Sequence, residues 1–232
     1  MKYNIRALLS TRKLFFQTML LLLLIAALSL LFFGKAFAFI PSSAYHPFWL
    51  NVFFINFTFM GNGLFILCLA GVLIFRFKKK QQGIAMLYGF LLSGMVVQLL
   101  KNISSISHPD IFFEQGQNLF PANDISLTIP GGIISGHTAI AFALATVLSL
   151  TIMGSKKQLL LLAVAVLLGY SRIYLAQHYL PEIILGAFVG TVSGIAAVYL
   201  AYYFRGYGNY FKKLFSIHKN DAIRGERNVQ PV

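Results

Sequence analysis

The stretch YSRIYLAQHYLPE, Tyr170 to Glu182, follows the run LLLLAVAVLLG and precedes IILGAFVGTVSG. Both neighbours have the composition of segments that sit in hydrocarbon. Between them stand Arg172, His178 and Glu182. A charge at the centre of a bilayer costs roughly 2.5–3.5 kcal/mol on insertion scales, so three ionisable groups here require a placement and a purpose.

Composition gives the setting. Of the 232 residues 58% are hydrophobic, only 11% are charged, and Phe occurs 23 times. A soluble domain carries about 25% charged residues, so this chain lacks the polar surface to cover itself in water. The single Cys68 lies in an apolar run and excludes an internal disulfide. A net charge of +13 would point to nucleic acid in a soluble protein. In a membrane protein the position of each charge carries the information instead, and no nucleic-acid partner is expected.

Six segments are long and apolar enough to cross hydrocarbon as helices of about 20 residues. They lie near 14–34, 52–75, 83–100, 137–154, 157–175 and 182–204. A helix satisfies its own backbone in lipid, so the expected fold class is all-α: one membrane domain over 1–232, an integral bundle of six transmembrane helices. The first run is preceded by basic residues and followed by Ala36–Phe37–Ala38, as in a secretory leader. Its length exceeds the 7–15 residues usual for a leader, so it reads as a span.

The cations fix an expected orientation. Lys2, Arg6, Arg12 and Lys13 precede the first span; Arg76, Lys78, Lys79 and Lys80 follow the second; Lys156 and Lys157 follow the fourth. Six more lie in the tail 205–232, so that of 19 Lys and Arg only Lys35, Lys101 and Arg172 fall on the opposite side. The positive-inside rule then places both termini in the cytoplasm, in an inner (cytoplasmic) membrane. The tail either lies on the anionic inner leaflet or stays solvated. On the outer side, residues 35–51 are rich in aromatics suited to the headgroup level, and 101–136 is too long for a plain connector. Gly186, Gly190 and Gly194 recur every four residues, a pattern for close helix packing.

Each outer polar residue has an ordinary structural reading. Lys101 at a helix end can snorkel to headgroups, and Glu182 after Pro181 complements the dipole of a helix start. As a set they say more. Lys101, His108, Ser135, Gly136, His137, Ser171, Arg172, His178 and Glu182 all fall at the outer ends of the third to sixth spans, where a bundle gathers them at one depth. Lys101 and Arg172 suit an anion, and free amides at a helix start suit it too. Histidines and a carboxylate attack and move protons. This is equipment for phosphoryl transfer, centred on residues 101–182.

Three spaced motifs carry a family resemblance over roughly 83–204. KNISSISHP spans Lys101 to Pro109, ISGH spans Ile134 to His137, and SRIYLAQHYLPE spans Ser171 to Glu182. In order and spacing they resemble the K-x6-R-P, P-S-G-H and S-R-x5-H-x3-D motifs of the type 2 phosphatidic-acid phosphatases, membrane lipid phosphatase branch. The resemblance implies six spans with outward-facing motifs and a phosphohistidine intermediate. His178 would be the nucleophile, Glu182 its orienting acid, and His137 the donor of a proton to the leaving oxygen. Lys101, Ser135, Gly136, Ser171, Arg172 and His108 would hold the phosphate. No metal and no cofactor is implied.

Three positions depart from the family pattern: His108 replaces Arg, Ile134 replaces Pro, and Glu182 replaces Asp. The expected function is hydrolysis of a lipid phosphate monoester or diphosphate at the outer (periplasmic) face. Candidate substrates are a polyprenyl diphosphate, a phosphatidate-type lipid or a phosphorylated lipid A. The alternatives are a catalytically impaired relative that binds lipid, or a polar-solute transporter. A zinc hydrolase built on His108, His137, His178 and Glu182 fits poorly, because Lys101 and Arg172 would repel the cation and no H-E-x-x-H spacing is present.

Overall fold

The computed structural model describes residues 10–34, 47–103, 134–151, 157–175 and 177–227, with side chains through Tyr203. His108 and most of the long outer segment lie outside the described residues. Every regular element among the described residues is helical. In chain order these are α1 (Lys13–Phe33), α2 (Phe48–Phe57), a 3₁₀ turn (Thr58–Gly61), α3 (Gly63–Gly71), a π turn (Val72–Arg76), α4 (Lys80–Ile103), α5 (Gly136–Thr151), α6 (Gln158–Tyr174) and α7 (Leu180–Arg227).

Length and apolar composition qualify α1, α4 and the Leu180–Tyr203 part of α7 to cross a membrane. The α2–α3 pair makes a fourth candidate, bent by 60°. The sequence predicts one continuous span near 52–75; the structure breaks it at Gly61–Asn62–Gly63. The cause is local. Asn62 leaves the helical region (φ −84°, ψ 145°), and its side-chain oxygen accepts the Leu64 N–H at 3.2 Å. It thus ends one helix and caps the next. At 16 and 17 residues, α5 and α6 are shorter apolar helices of about 25 Å.

The core forms around α5, of whose 16 residues 10 are buried. Most are Ala, Thr or Ser, so neighbouring backbones approach closely. On one side α5 packs with α3, α4 and α7 through Val147, Leu150, Ile66, Met86 and Val198. On another, Phe142 and Ala145 meet Phe15 of α1 and Leu162 and Leu168 of α6. By contrast α1 is peripheral, with Leu20, Leu31 and Phe32 more than 60% exposed, as suits a lipid-facing helix.

The glycine repeat sets the tightest contact. A Cβ on Gly186 would lie 2.8 Å from the Ser135 carbonyl oxygen, on Gly190 2.1 Å from that of Ala139, and on Gly194 2.8 Å from that of Ala143. Partners advance by four on both helices, so α5 and α7 run parallel, backbone against backbone. A Gly190→Ala variant should therefore lose at least the 1–3 kcal/mol typical of overpacking, read as a lower thermal midpoint in detergent. Gly94→Ala, where a Cβ meets nothing within 4 Å, should be neutral or slightly stabilising. Equal midpoints for the two variants would contradict the close α5–α7 contact.

Candidate active site

The site forms where the starts of α5 and α7 meet the end of α6. Ser135 occupies the N-cap position of α5. Its hydroxyl oxygen accepts from the Thr138 hydroxyl at 3.0 Å and lies 3.4 Å from the Thr138 amide. Its own N–H donates to the Glu182 carbonyl at 3.2 Å, tying the start of α5 to the first turn of α7. Gly136 and His137 follow, half-buried, with amides in the first turn where helical partners are lacking.

Beyond α6 the chain makes a short irregular connection before α7. The amides of Gln177 and His178 both donate to the Arg172 carbonyl, at 3.0 and 3.2 Å, folding the connection over the end of α6. This brings His178 back beside α7, where its Nδ1 pairs with Oε2 of Glu182. Both residues are only 6% exposed. Arg172 is equally buried, and its Nη1 donates to Thr58 Oγ1 at 3.0 Å. Its Nε has no hydrogen-bond partner among the described residues. A buried guanidinium whose partner among the described residues is a neutral hydroxyl is not neutralised by it, and burying an unneutralised charge is expensive. The arrangement suits an anion.

Two further predicted residues complete the picture, with different roles. Lys101 lies half-buried in the last turn of α4, within electrostatic reach of His137, as are Arg172 and His178. Ser171, fully buried, gives its hydroxyl to the Leu168 carbonyl at 2.6 Å within α6. That bond turns the Ser171 proton towards its own helix. Ile134, where the resembled motif has Pro, is fully buried beside Val97 and Ala139, so it packs the turn rather than shaping it.

A family model for the PAP2 superfamily matches residues 82–206. The chain belongs to the PAP2 superfamily. All nine residues expected from the sequence fall inside that PAP2 region. Its fold is similar to the crystal structure of Aquifex aeolicus LpxE, at 28% identity and a TM-score of 0.57, over 71% of this chain and 94% of that one. It is also similar to the crystal structure of the first transmembrane PAP2 type phosphatidylglycerolphosphate phosphatase from Bacillus subtilis. There the identity is 21% and the TM-score 0.55, over 82% of this chain and 94% of the other. No curated protein matches the sequence significantly. Together with its apolar helices, PAP2 membership makes this a multi-pass membrane protein.

Some neighbours of the site lie outside the PAP2 match and were not singled out by sequence. Thr58 holds Arg172, Gly61 sits against His137, and Asn51 accepts from the Tyr174 hydroxyl at 2.6 Å. The sequence signal was the G-N-G break inside an otherwise uniform apolar run. Within the match, Thr138 was missed, because its bond to the Ser135 hydroxyl departs from the Ser-x-x-Glu pattern that marks a capping box. Ser135→Ala should cost about 1 kcal/mol through loss of the cap, read as a lowered thermal midpoint in detergent, and Ser135→Thr should restore most of it.

Proposed function

We propose that this PAP2 protein is a membrane lipid phosphatase that hydrolyses a lipid phosphate monoester or diphosphate through a phosphohistidine on His178. The buried His178–Glu182 pair carries the reading. With the Nδ1 proton donated to Glu182, the imidazole presents the Nε2 lone pair as nucleophile. Attack on phosphorus forms the N–P bond as the bond to the lipid oxygen breaks, and His137 supplies the proton that the leaving oxygen takes. Water then attacks the phosphohistidine, the N–P bond breaks, and His137 recovers a proton from that water. Lys101, Arg172 and the amides at the start of α5 stabilise the charge spread over the phosphoryl oxygens. That cradle supplies the positive charge, so the reaction is proposed to proceed without a metal.

The membrane setting follows the charge distribution. In the proposed topology α5 and α6 join the four longer candidates to give six spans, both termini are cytoplasmic, and the site opens at the outer face of the inner membrane. The headgroup enters laterally while the tails remain in the bilayer. Substrates of this kind include a polyprenyl diphosphate, a phosphatidate-type lipid and a phosphorylated lipid A. The solved relative described as a phosphatidylglycerolphosphate phosphatase supports a lipid phosphate as the substrate kind.

Phosphate release from these three lipid classes in detergent tests the reading. Wild type should release phosphate from at least one, and should do so undiminished in EDTA. His178→Ala should abolish release. Glu182→Gln, which removes the acceptor that fixes the His178 tautomer, should reduce it by about a hundredfold or more. His108→Arg, which restores a permanent cation, should lower KM. Full activity in His178→Ala would remove the nucleophile assignment, and release from no lipid would favour a binding role.

A further inference from the structure

The proposed phosphate site draws on the PAP2 region alone, yet the structure presses a segment from outside that region against it. The 3₁₀ turn Thr58–Gly61, at the break between α2 and α3, touches two site residues. Thr58 Oγ1 accepts from Arg172 Nη1 at 3.0 Å, across 114 residues of sequence. A Cβ on Gly61 would lie 3.1 Å from His137 Cβ and 3.2 Å from its Cδ2, so the backbone there reaches the imidazole closely because no side chain intervenes. One turn before Thr58, Phe54 packs on Tyr174 with ring centroids 4.5 Å apart. Asn51 accepts the Tyr174 hydroxyl bond at 2.6 Å. The last turn of α6 is thus held at three points by α2 and its terminal turn.

The chemistry of the Arg172 contact is selective. A carboxylate against the guanidinium would position it and also cancel its charge. A threonine hydroxyl positions it and leaves the charge for a ligand. The contact occupies one end nitrogen and leaves Nε, buried and without a partner among the described residues. The 60° bend at Asn62 follows directly on this turn, so the segment that meets the end of α6 is the terminal turn of a broken helix.

We infer that the broken α2–α3 helix is an integral part of the anion site, with Thr58 as the positioning residue that fixes the Arg172 guanidinium for a phosphoryl group. This rests on the proposed phosphatase reading for its substrate, although the anion contact itself is measurable without turnover. The probe is orthovanadate, a phosphoryl mimic, bound to the purified full chain in detergent and followed by calorimetry, beside lipid phosphate release.

Thr58→Val, which keeps the shape and removes the acceptor, should weaken orthovanadate binding about tenfold, the scale of a lost hydrogen bond to a charged group. Where lipid turnover is measurable, it should raise KM more than it lowers kcat. Thr58→Ser should bind within about twofold of wild type, a rescue that packing alone would not produce. Thr151→Val removes a hydroxyl that, among the described residues, bonds the Val147 carbonyl at the far end of α5, and should leave binding unchanged. Wild-type orthovanadate affinity in Thr58→Val, equal weakening in Thr58→Ser, or no orthovanadate binding by the wild type would each overturn the inference. Binding that responds to Thr58 in a protein that releases phosphate from no lipid would instead overturn the phosphatase reading and leave the positioning role standing.

Discussion

The backbone contact between α5 and α7 is the constraint on which the site depends. Gly186, Gly190 and Gly194 let the carbonyls of Ser135, Ala139 and Ala143 approach to distances that any side chain would block. Because the spacing is four on both helices, the register is fixed at three successive turns. A slip of one turn would displace the start of α5 by about 5.4 Å relative to α7. The Ser135 amide would then lose the Glu182 carbonyl, and the free amides of α5 would leave the His178–Glu182 pair behind. Packing deep in the bundle thus sets geometry at its end.

That end concentrates buried charge. Arg172, His178 and Glu182 are each 6% exposed, a condition that costs several kcal/mol per ion unless partners are supplied. The chain supplies them unequally. His178 and Glu182 compensate each other, whereas Arg172 has the Thr58 hydroxyl and, among the described residues, no partner for its Nε. This asymmetry divides the site into a self-satisfied pair suited to attack and a cation suited to holding an anion. In the proposed reaction, phosphate arrives where the compensation is incomplete.

Much of this was legible in the sequence because the information was local or periodic. Apolar runs announce helices in hydrocarbon, the four-residue glycine repeat announces a close contact, and His178 and Glu182 are near enough in sequence to meet locally. Ser135 reads as a phosphate ligand, and its second role as the cap of α5 emerges from the structure. What could not be read was contact across more than a hundred residues. Nothing near Thr58 marks it as the partner of Arg172, and the apolar run around it looks continuous until Asn62 is recognised as a cap flanked by two glycines. The fate of Ser171 was equally hidden. Its position in the motif suggests a phosphate donor, and its hydroxyl bonds the Leu168 carbonyl, a contact within α6 that the motif does not announce.

The departure at Glu182 can be understood from the two separate demands on that residue. Its backbone carbonyl receives the Ser135 amide, which anchors α5, and that demand is indifferent to the side chain. Its carboxylate must reach His178 Nδ1 from the first turn of α7, where the helix dipole favours a negative charge. His178 stands before the helix, on a connection whose path is set by two amides bonded to the Arg172 carbonyl. The extra methylene of Glu relative to Asp therefore extends a reach that begins on a fixed backbone and ends on a fixed ring. Shortening the side chain would require either the connection or the helix start to move. The helix start cannot move alone, because Gly186 one turn later rests on the Ser135 carbonyl.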